Sequence, residues 1–251
     1  LSGHSKWATT KYRKSAQDKA RGKLFAKLIR QIEVAAREGG GDLNSNANLR
    51  TAYGKARDAS VPLETIERAI KRGTGELEGV KYEHVSYEGY GPNGVAIIVE
   101  CLTDNRNRTG SEIRYIFSRN GGSLAEPNAV SWQFERKGLI KFESDLSEDD
   151  ILSLVLDSGA ENFESDGESY VITTSASDLA QVKEALEASG KVNIKSADIE
   201  MLPTQHVLVD NVETAKKILK LLDALEEQDD VQSVFDNADI DEQVIQSALS
   251  S

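Results

Sequence analysis

Residues 138–201 read GLIKFESDLSEDDILSLVLDSGAENFESDGESYVITTSASDLAQVKEALEASGKVNIKSADIEM. Strand patterning over 138–142 gives way to helical spacing over 148–157, then to strand patterns at 161–165 and 169–173. Helical spacing returns over 178–189, and a last strand pattern covers 192–201. The order βαββαβ is that of the ferredoxin-like split unit. Outward from this block, strand patterns at 95–102 and 130–134 enclose a helix at 108–120 carrying Ile113, Ile116 and Phe117. On its far side, strand patterns at 205–209 and 231–235 enclose a helix at 212–228 carrying Ile218, Leu219, Leu222 and Leu225. Joined across the block, these segments spell the same order again. They predict a discontinuous domain with the 138–201 unit inserted at its central hairpin. One more strand, 82–87, flanks 95–102 across the turn GYGPNG.

Ahead of residue 76 the period is helical. From Tyr12 to Glu38, Leu24, Phe25, Leu28, Ile29, Ile32, Ala35 and Ala36 make one apolar stripe. Lys19, Lys23, Lys27, Arg30 and Arg37 fall on the opposite face. The glycines at 39–41 stop the helix, since glycine accepts the left-handed conformation of a C-cap. A second helix is expected at 46–59, with Leu49, Ala52, Tyr53 and Ala56 inward, and a third at 62–72, with Ile66, Ala69 and Ile70 buried. Gly73-Thr74-Gly75 reads as a hinge. The expected fold class is therefore α+β: an N-terminal three-helix domain followed by two ferredoxin-like α/β domains, the last inserted into the middle one. The expected boundaries are 1–76, 77–135 plus 204–240, and 136–203, with a C-terminal tail at 241–251.

Among 251 residues, 39% are hydrophobic and 29% charged, which argues for ordinary packed cores and against global disorder. The longest apolar run, Val95 to Val99, is far too short to span a bilayer. No basic segment leads into an apolar one at the N-terminus, so the expectation is a cytoplasmic protein without a secretory signal. A lone cysteine, Cys101, suits a reducing compartment and reads as a small buried hydrophobe.

The net charge is −12, but residues 1–75 carry a net of +9 and residues 142–251 a net of −20. A basic arm on an acidic body is the pattern of a polyanion-binding end, whereas the acidic excess mainly serves solubility. Lys6, Lys11, Arg13, Lys14, Lys19, Arg21, Lys23, Lys27 and Arg30 face a single acid, Asp18, and Trp7 and Tyr12 are interleaved among them. Arg68, Lys71 and Arg72 add a ridge on the third helix. Cations in such density hold a phosphate backbone without reading its sequence, and an interleaved aromatic can stack on an unpaired base. The bland alternative is the solvated face of an amphipathic helix; a membrane-surface helix is disfavoured because the arm lacks a large apolar face.

Other constellations carry less. Gly89-Tyr-Gly91-Pro-Asn-Gly94 formally matches G-x-G-x-x-G, but a strand follows it rather than a helix, so it reads as a β-turn loop and not as a dinucleotide site. No P-loop occurs. His4, His84 and His206 lie in separate segments without a ligand partner at metal spacing, so no metal and no cofactor are expected. In Leu102-Thr-Asp-Asn-Arg-Asn-Arg-Thr109, Arg106 and Arg108 sit beside a helix N-terminus and offer a second anion site. The competing reading, which capping chemistry favours, has Thr103, Asp104 or Asn107 capping the helix while both arginines pair with nearby acids.

Gly3-His-Ser-Lys-Trp7, Arg21-Gly-Lys-Leu-Phe25, Lys27-Leu-Ile-Arg30, Ala35-Ala-Arg37 and Gly39-Gly-Gly-Asp42 are familiar motifs. With Ile66-Glu-Arg-Ala-Ile-Lys-Arg-Gly73, Tyr87-Glu-Gly-Tyr-Gly-Pro92 and Thr103-Asp-Asn-Arg-Asn-Arg-Thr109, they resemble the YebC family. That family includes bacterial proteins described as probable transcriptional regulators and a mitochondrial translational activator of cytochrome oxidase. The resemblance implies a cytoplasmic three-domain protein with no cofactor. It also implies DNA binding in transcription control for some members and ribosome-linked work for others. At the matching positions, Lys6, Trp7, Arg21, Lys23, Lys27, Arg30, Arg68, Lys71, Arg72, Arg106 and Arg108 become candidate contacts. With no targeting sequence ahead of Ser2, it points to a bacterial rather than an organellar member. The strongly acidic C-terminal third is a departure that argues against nucleic-acid contact by the rear domains, which would orient the grip or contact protein.

The expectation is a non-enzymatic DNA-binding transcriptional regulator that grips the phosphate backbone. An RNA- or ribosome-associated translation factor is the runner-up, and a protein–protein adaptor the rival of a different class.

Overall fold

The computed structural model describes residues 21–165 and 169–250. In chain order the elements begin with α1 (Arg21–Gly39), α2 (Ala47–Asp58), α3 (Leu63–Thr74), β1 (Glu83–Tyr90), β2 (Ala96–Thr103), α4 (Arg106–Arg119) and β3 (Ser123–Ala125). Next come β4 (Phe134–Glu143), α5 (Glu148–Ser158), β5 (Asn162–Ser165), β6 (Tyr170–Ser175), α6 (Leu179–Ala188) and β7 (Asn193–Pro203). The chain continues through β8 (Val207–Val209), α7 (Val212–Glu227), β9 (Val231–Asp236), β10 (Ala238–Ile240) and α8 (Glu242–Leu249). The described residues form two compact units, 21–129 with 216–234, and 130–215 with 235–250.

In the first unit, α1, α2 and α3 bury their apolar stripes in one another, as short helices must to be stable in water. Leu28, Ile32, Ala35 and Ala36 of α1 meet Leu49, Ala52 and Ala56 of α2 and Ile66 and Ala69 of α3. Gly40 (φ 86°) takes the chain out of α1. Asn46 then ties that end to the next helix: its Nδ2 donates to the Ala35 and Gly40 carbonyls, both at 2.8 Å, and its Oδ1 accepts from the Leu49 N–H at 3.0 Å as the cap of α2. Gly73, read as a hinge residue, lies inside α3; the left-handed Gly75 (φ 87°) closes that helix. A Cβ on Gly73 would stand 2.4 Å from the Glu33 carbonyl oxygen and 2.7 Å from the Ala36 Cβ. Its missing side chain is what lets α3 approach α1 so closely.

The sheet of this unit has the order β3-β1-β2-β9. β1 and β2 form an antiparallel hairpin from Glu83↔Thr103 to Tyr90↔Ala96. Asn93 (φ 62°) and Gly94 (φ 73°) supply the left-handed residues of its turn, so GYGPNG is a loop between strands. β2 is central and buried along most of its length, and Ile113 and Phe117 of α4 are fully buried.

The second unit holds the βαββαβ run of β4 to β7 as one antiparallel sheet, ordered β5-β6-β4-β7. That is the ferredoxin-like arrangement. Ile140, Phe142 and Ile172 pack with Ile151 and Val155 of α5 and with Val182 and Leu186 of α6. The fold class is thus α+β, with N-terminal helices followed by antiparallel sheets. The second sheet is inserted in sequence between β3 and β9 of the first.

Two strand expectations change. Residues 131–133 form a single 3-10 turn closed by Gln133 N–H donating to the Val130 carbonyl at 3.0 Å. The alternation of Val130, Trp132 and Phe134 imitates a strand, yet Trp132 is 63% exposed and Phe134 already opens β4. The 205–209 segment shrinks to β8, which pairs in parallel with β10 in a separate two-stranded sheet. The first sheet therefore takes β1 and β3 where element order alone had placed these two segments. The region read as a tail contains α8, with Ile245 and Ala248 buried. Among the described residues no helix is long and apolar enough to cross a membrane.

Candidate nucleic-acid interface

The cationic ridge of α1 follows from helical spacing, and the structure shows where it goes. Lys23 Nζ donates to Glu227 Oε2 at 2.8 Å and to the Glu227 carbonyl at 2.9 Å. One turn on, Lys27 Nζ donates to the Glu226 carbonyl at 2.5 Å. Arg30 donates to the Leu102 carbonyl at 2.7 Å and to Asp230 Oδ1 at 2.8 Å, with its guanidinium 4.4 Å above the Tyr82 ring. The ridge thus clasps the end of α7, the turn into β9 and the end of β2. The hydrogen bond from Lys23 holds the Glu227 carboxyl below its usual range and lifts the lysine. At Lys27 burial dominates and lowers the ammonium's pKa. Because the Lys23 and Glu227 side chains remain 46% and 64% exposed, Lys23→Ala is expected to cost under about 1 kcal/mol in urea unfolding.

Asp230 is the centre of this clasp and is 2% exposed. Its Oδ1 accepts from Arg30, and its Oδ2 accepts from Arg108 at 2.9 Å, Thr109 Oγ1 at 2.8 Å and Gln228 Nε2 at 3.1 Å. Its carbonyl accepts from the Leu102 N–H at 2.9 Å, and its own N–H donates to Gln228 Oε1 at 2.7 Å. Burial alone would push this carboxyl up; the hydrogen bonds from Gln228, Arg108, Thr109 and Arg30 outweigh it and bring the group down to about 2.

At the start of α4 the cap is Asn105, whose side chain accepts from the Arg108 N–H at 3.1 Å. Arg108 reaches Asp104 at 3.0 Å as well as Asp230, and Arg106 lies 3.5 Å from Glu83. The two arginines read as a second anion site are thus already beside carboxylates of the chain, as the competing reading has it, although the cap is Asn105 and not Thr103, Asp104 or Asn107. On α3, Arg72 donates to Glu33 Oε2 at 3.1 Å. Arg68 and Lys71, three residues apart on the same helix, are exposed and meet no carboxylate among the described residues. Lys6, Trp7, Lys11, Arg13, Lys14 and Lys19 lie outside the described residues, and Arg21 is the first residue of α1.

Sequence reasoning passed over Asp230, an acid among many acids. It also passed over Arg114, Tyr115 and Arg119 on α4, although a helical wheel anchored on the buried Ile113 and Phe117 turns Tyr115 outward. Cys101 is buried in β2, and burial pushes its thiol up to about 12, so it is not a nucleophile at neutral pH. No group of His, Cys, Asp and Glu among the described residues is placed to hold a metal ion.

Residues 5–76 match the family model described as the TACO1/YebC protein N-terminal domain, and residues 82–238 match that of the TACO1/YebC second and third domain. The chain belongs to the YebC family. Curated YebC relatives align over nearly their whole length. A probable transcriptional regulatory protein of Chlorobaculum tepidum is 53% identical over 247 residues, covering 98% of both chains. Another, from Halothermothrix orenii, is 51% identical over 249 residues with the same coverage. Among solved structures, the crystal structure of a conserved hypothetical protein from Aquifex aeolicus superposes with a TM-score of 0.81 at 49% identity, covering 88% of this chain and 91% of that one. The two curated relatives carry the name of probable transcriptional regulatory proteins.

Proposed function

We propose that this chain is a non-enzymatic, cytoplasmic regulator of transcription that holds DNA by its phosphate backbone through the N-terminal helical domain. The observation that carries the reading is the pair Arg68 and Lys71, exposed on α3 without an acidic partner among the described residues. They stand in a domain whose sequence has a net charge of +9 over residues 1–75. Lys23, Lys27 and Arg30 spend their hydrogen bonds inside the chain, so the gripping surface is centred on α3. The arm cations Lys6, Lys11, Arg13, Lys14, Lys19 and Arg21, with Trp7, extend it. Such contacts position a protein on nucleic acid without reading bases. The names of the relatives support transcription as the process, and the acidic C-terminal third suits contact with protein.

The test is the salt dependence of duplex binding. Charge reversal of Arg68 and Lys71 to Glu is expected to weaken binding to unrelated duplexes alike. It should also flatten the slope of log K against log salt by about two. An unchanged slope would remove α3 as the contact surface. If a structured RNA of equal length outcompetes the duplex at matched salt, the assignment to transcription gives way to an RNA-directed role.

A further inference from the structure

The solvent face of α4 carries a feature that neither the clasp nor the α3 ridge uses. Thr109, Ile113 and Phe117 are the buried residues of this helix. At about 100° per residue Tyr115 points almost directly away from them. Its side chain is 62% exposed and makes no ring-stacking or cation–π contact among the described residues. Ser111 and Arg119 stand one turn to either side, and Arg114 and Ser118 flank it. Arg114 and Arg119 are exposed and meet no carboxylate among the described residues. The single acid of the helix, Glu112, is engaged elsewhere: its Oε2 accepts from Gln228 Nε2 at 2.5 Å, and its Oε1 lies 3.9 Å from Arg108 Nε.

An aromatic plane held open on a rigid helix between two uncompensated guanidinium groups has a chemistry of its own. An unpaired base can lie flat on the phenol ring, and the phosphates on either side of that nucleotide come within reach of the arginines. A base inside a duplex has both faces covered by its neighbours and cannot make this contact. We propose that this face of α4 is a stacking platform for an unpaired nucleotide, with the base on Tyr115 and the adjoining phosphates on Arg114 and Arg119. The inference rests on the proposed function, because it needs the protein to meet nucleic acid. It adds a second form recognised: an unpaired nucleotide on α4, beside the backbone held through α3.

The test uses the full chain with labelled oligothymidylate and oligouridylate of about a dozen nucleotides and a duplex of equal length, read by fluorescence anisotropy. Tyr115→Ala is expected to weaken single-strand binding about tenfold or more while leaving duplex binding unchanged. Tyr115→Phe should keep single-strand affinity, since the ring face is retained. Arg114→Gln with Arg119→Gln should flatten the single-strand salt slope by about one to two. A loss confined to oligothymidylate assigns the platform to DNA, and one confined to oligouridylate assigns it to RNA. If Tyr115→Ala binds single strands as tightly as the unmodified chain, or loses duplex and single strand in equal measure, the platform is overturned. Duplex binding that still depends on Arg68 and Lys71 would then leave the proposed function standing. A chain that binds no nucleic acid at all would sink both. Because the Tyr115 side chain is mostly exposed and makes no hydrogen bond among the described residues, thermal melting of the Ala variant should stay close to that of the unmodified chain.

Discussion

Asp230→Ala is expected to destabilise the protein by about 3 kcal/mol, the low end for breaking a buried ion pair, read as a lowered urea midpoint. It takes the acceptor from the largely buried Arg30 and from Arg108, whose side chain stays 42% exposed. Arg30 and Arg108 both aim at this carboxylate, with Thr109 and Gln228 completing its shell. Removal therefore leaves several donors without an acceptor, each at a desolvation cost. A loss below about 1 kcal/mol would mean that the arginines regain water freely, and the clasp would then be ornamental. The same group sets an acid limit. Its carboxyl titrates at about 2 in the folded chain, below the roughly 3.9 of an unfolded aspartate. The unfolded state therefore takes up the proton first as pH falls. The contribution, roughly 2 kcal/mol, is complete above about pH 4 and is lost progressively as pH drops toward 2. In Asp230→Asn that segment of the stability–pH curve should be missing, while the rest of the acid limb remains.

Gly73→Ala is expected to cost about 1–3 kcal/mol, the range for forcing an extra methyl into a packed contact. The added Cβ would meet the Glu33 carbonyl oxygen, a backbone atom that cannot swing aside. Gly54, in the middle of α2, has nothing within 4 Å of the same construction. There the identical substitution should stabilise by about 0.5–1 kcal/mol, since alanine is the better helix former. Opposite signs for one chemical change on neighbouring helices, measured by thermal or urea unfolding, would separate helix crossing from helix propensity. Equal signs would defeat the close-approach account of Gly73.

What the sequence made legible was periodic. The stripe from Leu28 to Ala36, the glycine stop after it and the βαββαβ run of the second sheet each repeat a local rule over many residues. They appear in the structure close to where spacing placed them. Strand partnership was not legible: 130–134 and 205–209 have strand-like side chains, but pairing is decided by which edges are vacant in space. The α1 cations illustrate the same limit. A helical wheel assigns Lys23, Lys27 and Arg30 to the face opposite the apolar stripe, and a polar face reads as a solvated one. Nothing local indicates that Glu226, Glu227 and Asp230, some two hundred positions away, turn that face inward. Of the basic residues that the sequence singled out, Arg68 and Lys71 stand described, exposed and without an acidic partner among the described residues. That is why the proposed grip moves from α1 to α3.

The separation of Arg30 from Asp230 by 200 positions also bears on how the molecule is made. Helices α1 to α3 leave the ribosome early and can assemble from nearby contacts alone. Their latch, however, is written near the far end of the message, beyond the whole inserted sheet. Such long-range closure is slow relative to local assembly. During synthesis, then, the nascent bundle carries Lys23, Lys27 and Arg30 uncompensated, and its cationic side is broader than in the finished protein. Completion of the chain narrows that surface, so a stalled or shortened product would be a stickier polycation than the mature one.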